Sequence, residues 1–407
     1  MSEEFHRIRR LPPYVFAEVN AAKAKARAAA EDIIDLGMGN PDSPTPPHIV
    51  AKLVETVQDP RSHRYSVSKG IPGLRKALAG YYARRFGVKL DPETETIATL
   101  GSKEGLANLA AAITSPGDTI LVPNPSYPIH QFGFIIAGAS VRSIPAEPGE
   151  EMLRAIDRAV RHSVPKPTAV IVNFPSNPTA YMADLDFYKE LVALARKTEL
   201  FIISDLAYGE IYFDGNPPPS VLQVDGAKDI TVEFTTMSKT YSMPGWRMGF
   251  AAGNPRLIAA LARMKSYLDY GAFTPIQVAA TAALNGPQEC VDEMRALYRE
   301  RRDILIKGLH AAGWDVPSPN GSMFAWAPIP ARYAHLGSVE FSKLLLAKAK
   351  VAVAPGLGFG EYGDTHVRIA LVENQHRLRQ ALRNIRHFMA TDNGGPVDAI
   401  AEVARQY

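Results

Sequence analysis

At 407 residues the chain exceeds the usual size of a single hydrophobic core, which favours two or three domains. Hydrophobic residues make up 46% and charged residues 21%, the composition of an ordinary globular protein, and 45 Lys+Arg against 42 Asp+Glu leave a formal charge of only +3. That balance gives neither a nucleic-acid backbone nor an anionic membrane an electrostatic reason to bind, so neither is expected as a partner and any positive site must be local. The single cysteine, Cys290, cannot form an internal disulfide, and no Cys/His cluster has the spacing of a metal site, so no metal is expected. "MSEEFHRIRRLPPYVF" has the features of neither a signal nor a transit peptide, and no apolar run reaches membrane-spanning length. A cytoplasmic location is the default expectation.

Residues 5 to 16 place Arg7, Arg9 and Arg10 ahead of Pro12, Pro13 and Tyr14. The prolines exclude a helix interior, leaving an extended arm or a solvated basic terminus. "AEVNAAKAKARAAAEDI" then predicts a helix from intrinsic propensity, broken by "DLGMGNPDSPTPP". From about residue 49, helical stretches such as "EGLANLAAAI" and "DFYKELVALARKT" alternate with short apolar runs. The candidate strands are "TIATL" before Gly101, "TILVP" before Asn124, "AVIVNF" before Pro175, "LFIIS" before Asp205, "TVEFTT" before Ser238 and "MGFAAG" after Arg247. Near-continuous apolar strands between helices predict an α/β fold with a mostly parallel sheet covered on both faces, and such sheets bind ligands beyond the carboxyl ends of their strands. After about residue 285 a long charged helix, "CVDEMRALYRERRDILIKGLHAAG", leads into "GSMFAWAPIP", "VAVAPGLGFG", "HVRIAL" and a last helix ending near Met389, a smaller α+β unit. The expected organisation is an arm and part of the small domain in 1–48, a large domain in 49–285, the small domain in 286–390 and a tail in 391–407.

Polar clusters sit at the strand ends. "GSKEG" at 101–105 offers Ser102 and Lys103 at a helix start, either a phosphate site or a simple cap. "NFPSNPTA" at 173–180 holds Asn177 in a loop bracketed by prolines. "DLAYGE" puts Asp205 and Tyr208 just past a wholly apolar strand, where a carboxylate is costly unless a cation meets it. "TTMSKTYSMPGWRMG" surrounds Lys239 with Thr236, Ser238 and Arg247.

Taken together, "LGMGNPD", "YSVSKGIPGLRKAL", "NPSYP", "NFPSNPTA", "SDLAYGEI", "SKTYSMPGWRMGF" and "PGLGFGEYGDTHVRIAL" resemble, in order and over nearly the whole chain, the class I and II aminotransferases of pyridoxal-phosphate (PLP) fold type I. Within that family, "RLPPYVF", "GNPDSPTPPHIV", "GSKEGLA" and "PNPSYPIH" are similar to segments of bacterial glutamate-pyruvate (alanine) transaminases. The resemblance implies a PLP fold type I large domain with a smaller α+β domain, and makes Lys239 the Schiff-base lysine and then the catalytic base. Desolvation and nearby positive charge would leave such an amine neutral. It further implies a phosphate clamp of Thr236, Ser238, Arg247, Ser102 and the main chain near Lys103, with Asp205 on the pyridine nitrogen. Asn177 and Tyr208 become donors to the phenolic oxygen, and Tyr127 stacks on the ring. Arg368, Gly39, Asn177 and Tyr14 form the expected substrate set, Arg368 gripping the α-carboxylate. Tyr65 corresponds to the tyrosine that reaches a neighbour's phosphate, so a homodimer with shared active sites is implied.

One departure is Ala180, where the family commonly has the glycine of "NPTG"; a small change in loop geometry is expected, costlier if the position needs a positive φ. The implied reaction is ping-pong transfer between an amino acid and a 2-oxo acid. "SYLDYGAFTPIQ" (266–277) lacks the arginine with which animal-type aspartate aminotransferases hold a distal carboxylate. Alanine with 2-oxoglutarate is the first expectation, ahead of LL-diaminopimelate, aspartate and methionine-type or aromatic substrates. A PLP-dependent C–S lyase would keep Lys239 and Asp205. A regulator's aminotransferase-like domain would need a DNA-binding module that the fewer than 50 residues before the first sheet motifs leave little room for.

Overall fold

The computed structural model describes residue 5, residues 8–12 and residues 15–392. Arg7, Pro13, Tyr14 and the tail from 393 onward lie outside the described residues. The strands in chain order are β1 (Ile34–Asp35), β2 (Thr96–Thr99), β3 (Thr119–Asn124), β4 (Ser140–Pro145), β5 (Ala169–Val172), β6 (Phe201–Asp205), β7 (Thr231–Thr236), β8 (Gly249–Gly253), β9 (Phe324–Pro328), β10 (Val351–Ala352), β11 (Ala354–Pro355) and β12 (His366–Ala370).

Seven strands form one sheet in the order β2-β8-β7-β6-β5-β3-β4. Neighbours from β4 to β7 pair in parallel, and β8 alone runs antiparallel to both its neighbours. Successive side chains of a strand point to opposite faces, so a sheet covered on both sides favours strands that are apolar at nearly every position. Ile120, Val122, Ile171 and Ile203 accordingly join one core, while their neighbours Leu121, Val170, Val172 and Ile202 join the other. Helices Ser102–Ile113, Pro128–Ala137 and Pro255–Leu268 cover the first face through Leu106, Phe134 and Leu261; Pro72–Phe86, Glu150–His162 and Leu185–Thr198 cover the second through Leu78, Ile156 and Leu191. Their starts are set locally: proline occupies the first turn where no N–H is needed, Asp184 caps Phe187 N at 2.8 Å, and Asn254 caps Arg256 and Leu257.

All six candidate strands are present. The edge strand β4 was not anticipated because its sequence, "SVRSIP", has one paired neighbour and tolerates Arg142 and two serines. The first helix is shorter than propensity suggests: it spans Phe16–Ala28 and stops because Ile34, fully buried, is drawn into parallel pairing with Val351.

Beyond the helix Glu289–Ala311, β11-β12-β9 form a small antiparallel sheet backed by helices Gly337–Ala349 and Gln375–Thr391. β1 pairs with β10, so the segment after the first helix is built into this smaller unit. The carboxyl ends of β2, β5, β6 and β7 lie on one side of the large sheet, and each delivers a polar turn there.

Candidate active site

Asp205 ends β6 opposite Phe234 of β7 and is 3% exposed. Its Oδ2 lies 2.9 Å from His130 Nε2, and its carbonyl accepts from Asn173 Nδ2 at 2.6 Å. Oδ1 is buried and, among the described residues, has no partner. Leaving a buried carboxylate oxygen unmatched is costly, so the position suits a ligand's N–H. His130 is fully buried on the helix that begins at Pro128, and the ring of Tyr127 meets it edge-on at 5.8 Å.

Lys239 follows from the end of β7. The Thr236 hydroxyl accepts the Ser238 amide at 3.1 Å and lies 3.0 Å from the Ser238 hydroxyl, starting the short turn Met237–Thr240. Lys239 Nζ donates to the carbonyl of Gly39 at 2.6 Å. Burial, then the charges of Arg368 and Arg247, lower its pKa from 10.5 to about 8. Gly39 has to be glycine, since a Cβ there would sit 2.5 Å from Phe324. Its loop is fastened to the lysine turn by Thr45 Oγ1, which donates to the Ser242 carbonyl at 2.7 Å.

Arg247, at φ 53°, donates to the carbonyls of Pro244 at 2.7 Å and Leu100 at 3.3 Å. Gly101, at φ +86°, passes so close that a Cβ would overlap the Arg247 guanidinium. Ser102 opens the following helix, whose first amides are available to an anion, and Lys103 Nζ lies 5.9 Å above the Tyr127 ring.

Arg368 sits on β12 in register with Trp326 of β9 and Ala354 of β11, 7% exposed. It donates to Asn177 Oδ1 at 2.6 Å and to the Gly37 carbonyl at 2.9 Å, and its guanidinium carbon lies 4.0 Å from the Phe324 ring centre and 4.6 Å from that of Phe359. Asn177 N donates to Asn173 Oδ1 at 2.9 Å. Tyr208 is buried with its ring edge-on to Phe324 at 5.6 Å, and burial pushes its phenol well above the usual range. Ala180 does occupy the left-handed region, at φ 59°.

The structure therefore draws the expected residues into one connected neighbourhood, with two exceptions. Tyr65 is 86% exposed and packs on Tyr270 with ring centres 4.7 Å apart and planes tilted by 38°, and Tyr14 lies outside the described residues. Sequence reasoning passed over His130, Asn173, Phe324 and Phe359. His130 had a readable signal, a polar residue one helical turn after Tyr127 in an otherwise apolar helix "PIHQFGFIIA".

The profile of the family "Aminotransferase class I and II" matches residues 31–385. The chain belongs to this family. AatC of Rhizobium meliloti is 67% identical over 96% of both chains, and the glutamate-pyruvate aminotransferase AlaC of Escherichia coli is 55% identical over 95% of this chain and 94% of its own. Substrate-bound BacF from Bacillus subtilis superposes with a TM-score of 0.90 at 36% identity, covering 98% of this chain and all of that one. Among the described residues of this aminotransferase, no group of three or more His, Cys, Asp or Glu is arranged to hold a metal, and no helix is long and apolar enough to cross a membrane.

Acylation of the cofactor-free protein with acetic anhydride, read by mass spectrometry, should give Lys239 a midpoint near pH 8, well below the 10.5 of an unperturbed lysine. The unfolded chain keeps this proton up to about 10.5, so Lys239 also makes stability rise with pH from about 8 towards 10, and Lys239→Met removes that rise. Ala180→Gly relieves a left-handed alanine worth about 1–2 kcal/mol against about 0.4–1 kcal/mol of added unfolded-chain entropy. A net gain of about 0.5–1 kcal/mol is expected in urea denaturation, with turnover unchanged.

Proposed function

We propose that this aminotransferase uses pyridoxal 5'-phosphate and exchanges the amino group between alanine and 2-oxoglutarate by a ping-pong mechanism. The observation that carries the cofactor reading is the pair formed by Lys239, a buried amine with its pKa lowered to about 8, and Asp205, a buried carboxylate with one oxygen open for an N–H donor. When bound, the cofactor supplies an aldehyde for exchange of the amino group and a ring that accepts the electron pair left by the α C–H bond.

In this reading the chain's own residues divide the work. Thr236, Ser238, Arg247, Ser102 and the amides at Lys103 hold the phosphate, and Tyr127 covers one ring face. Asp205, kept in place by His130, holds a proton on the ring nitrogen. Asn177 and Tyr208 donate to the phenolic oxygen, Tyr208 as a phenol that burial keeps protonated. Arg368 binds the substrate carboxylate; its bonds to Asn177 and Gly37 and its two flanking rings fix the guanidinium in advance. Gly39 contributes from the loop whose carbonyl meets Lys239, and Lys239 Nζ, neutral in part at physiological pH, takes the α-proton. Tyr14 belongs to the same substrate set by the family resemblance. The 55% identity to AlaC over nearly the whole chain supports alanine with 2-oxoglutarate, and with it alanine biosynthesis, while the absence of arginine from 266–277 argues against distal-carboxylate recognition of the animal aspartate aminotransferase kind.

The same reading includes a homodimer. Tyr65, Val67, Tyr267, Leu268, Tyr270 and Phe273 are between 44% and 86% exposed, and Tyr65 packs against Tyr270, an apolar surface that a second copy would cover. Tyr65 would then reach the partner's phosphate. The domain division is the one the sequence suggests, 49–285 as the large domain and 286–390 with part of 1–48 as the small one, supported by the β1–β10 pairing. A cytoplasmic setting fits the single cysteine.

Lys239→Ala should lose cofactor-linked absorbance and fall by at least about 10⁴ in turnover, as expected when a base and nucleophile is removed. A half-reaction screen, mixing the PLP-loaded protein with single amino acids and following conversion to pyridoxamine phosphate, should rank alanine and glutamate first. Inert alanine and glutamate with reactive LL-diaminopimelate would refute the substrate assignment. Pyruvate and ammonia released from a cysteine conjugate without an oxo-acid acceptor would identify a lyase instead.

A further inference from the structure

We propose that Lys265 is a positioning residue: its ammonium fixes the turn that receives the cofactor phosphate and ties that turn to the segment carrying the exposed aromatic pair. The inference rests on the phosphate site and the second copy proposed above. Lys265 lies on helix Pro255–Leu268 and is fully buried, yet none of the roles assigned above uses it. Nζ lies 3.1 Å from Glu104 Oε1 and 2.8 Å from Asp269 Oδ2. One cation between two carboxylates is a costly arrangement in a protein interior, and removing the cation leaves both acids facing each other without a counter-charge.

Each carboxylate holds a different element. Glu104 Oε2 accepts the Leu100 amide at 2.8 Å, and the carbonyl of that same residue accepts from Arg247 at 3.3 Å. The peptide groups just before Ser102 are thus gripped from both sides, and a Cβ on Gly101 beside them would push the Arg247 guanidinium aside. Asp269 Oδ1 accepts the Gly271 amide at 2.6 Å, and the Asp269 carbonyl accepts the Ser68 hydroxyl. These two bonds bracket Tyr270 and the stretch leading from Tyr65, whose ring centres lie 4.7 Å apart. A single buried ammonium therefore joins the phosphate turn of one protomer to the surface assigned to its partner.

The test uses the full chain in three forms: wild type, Lys265→Met and Lys265→Arg. Titration of cofactor-free protein with PLP, read by absorbance, should show Lys265→Met raising the dissociation constant at least about tenfold, the equivalent of 1.4 kcal/mol. Sedimentation should show a weakened dimer. At saturating PLP and at protein concentrations that keep the dimer assembled, kcat and the alanine KM should stay within about twofold, because Lys265 touches neither substrate nor reacting atoms. Lys265→Arg, which keeps the charge, should recover most of the affinity. A PLP dissociation constant within about twofold of wild type in folded Lys265→Met overturns the proposal. If that variant does not fold, Glu104→Gln, which can still accept the Leu100 amide, decides by the same titration. Hydrogen–deuterium exchange at 98–103 and 64–71 gives a readout that needs no cofactor: faster exchange at both in Lys265→Met supports the proposal, and unchanged exchange at either overturns it. Failure of the wild type to bind PLP would instead overturn the reading of the site, with the exchange result still deciding this one.

Discussion

The placement of a carboxylate at the buried end of a strand constrains everything around it. Asp205 can meet a ligand because β6, apolar through Phe201, Ile202 and Ile203, ends there, and because His130 matches one oxygen while the other stays open. An arrangement of that kind lowers the stability of the protein alone and is worth keeping only where a ligand completes it. The parallel sheet supplies the means, since β2, β5, β6 and β7 all deliver their carboxyl ends to one side. Lys239, Asn177 and the turn at Gly101 are brought near Asp205 by sheet register, although 138 positions separate Gly101 from Lys239.

Electrostatics then tune the lysine. Arg368 and Arg247 raise the local positive potential while burial removes water, and both effects favour the neutral amine. The same Arg368 is held between two rings and by two carbonyl oxygens, so in the proposed reading one residue would serve both substrate binding and the protonation state of Lys239. The loop carrying Gly37 and Gly39 connects them, since it accepts from Arg368 at one glycine and from Lys239 at the other.

How much of this was legible in the sequence depended on whether the signal was local. The core strands announced themselves as short, largely apolar runs, and Asp205 stood out as an acid at the end of one of them. Arg368 was legible for the same reason, a charge flanked by "HV" and "IAL" in a strand. The edge strand β4 was not, because a strand with one neighbour needs no apolar run. Partners separated by long stretches of chain, such as His130 with Asp205 or Glu104 with Lys265, carry no pairwise signal in one sequence. Lys265 did leave a trace: it falls on the buried stripe Leu257, Ile258 and Leu261, a position where an apolar residue belongs. Ala180 ran the other way, since its departure from the family pattern was visible but the positive φ that makes it costly required the backbone.

The account stands or falls on Asp205 as a group kept for a ligand at the expense of the fold. Asp205→Asn preserves shape and can still bond to His130, so two quantities measured on one variant decide the matter: the stability of the cofactor-free protein in urea and the turnover of alanine with 2-oxoglutarate. The account predicts stability equal to or above wild type together with turnover lower by at least about 10³, the scale of losing an electrostatic group aimed at developing charge. Near-wild-type turnover would contradict it, as would a large loss of stability, which would make the carboxylate a structural element of the core.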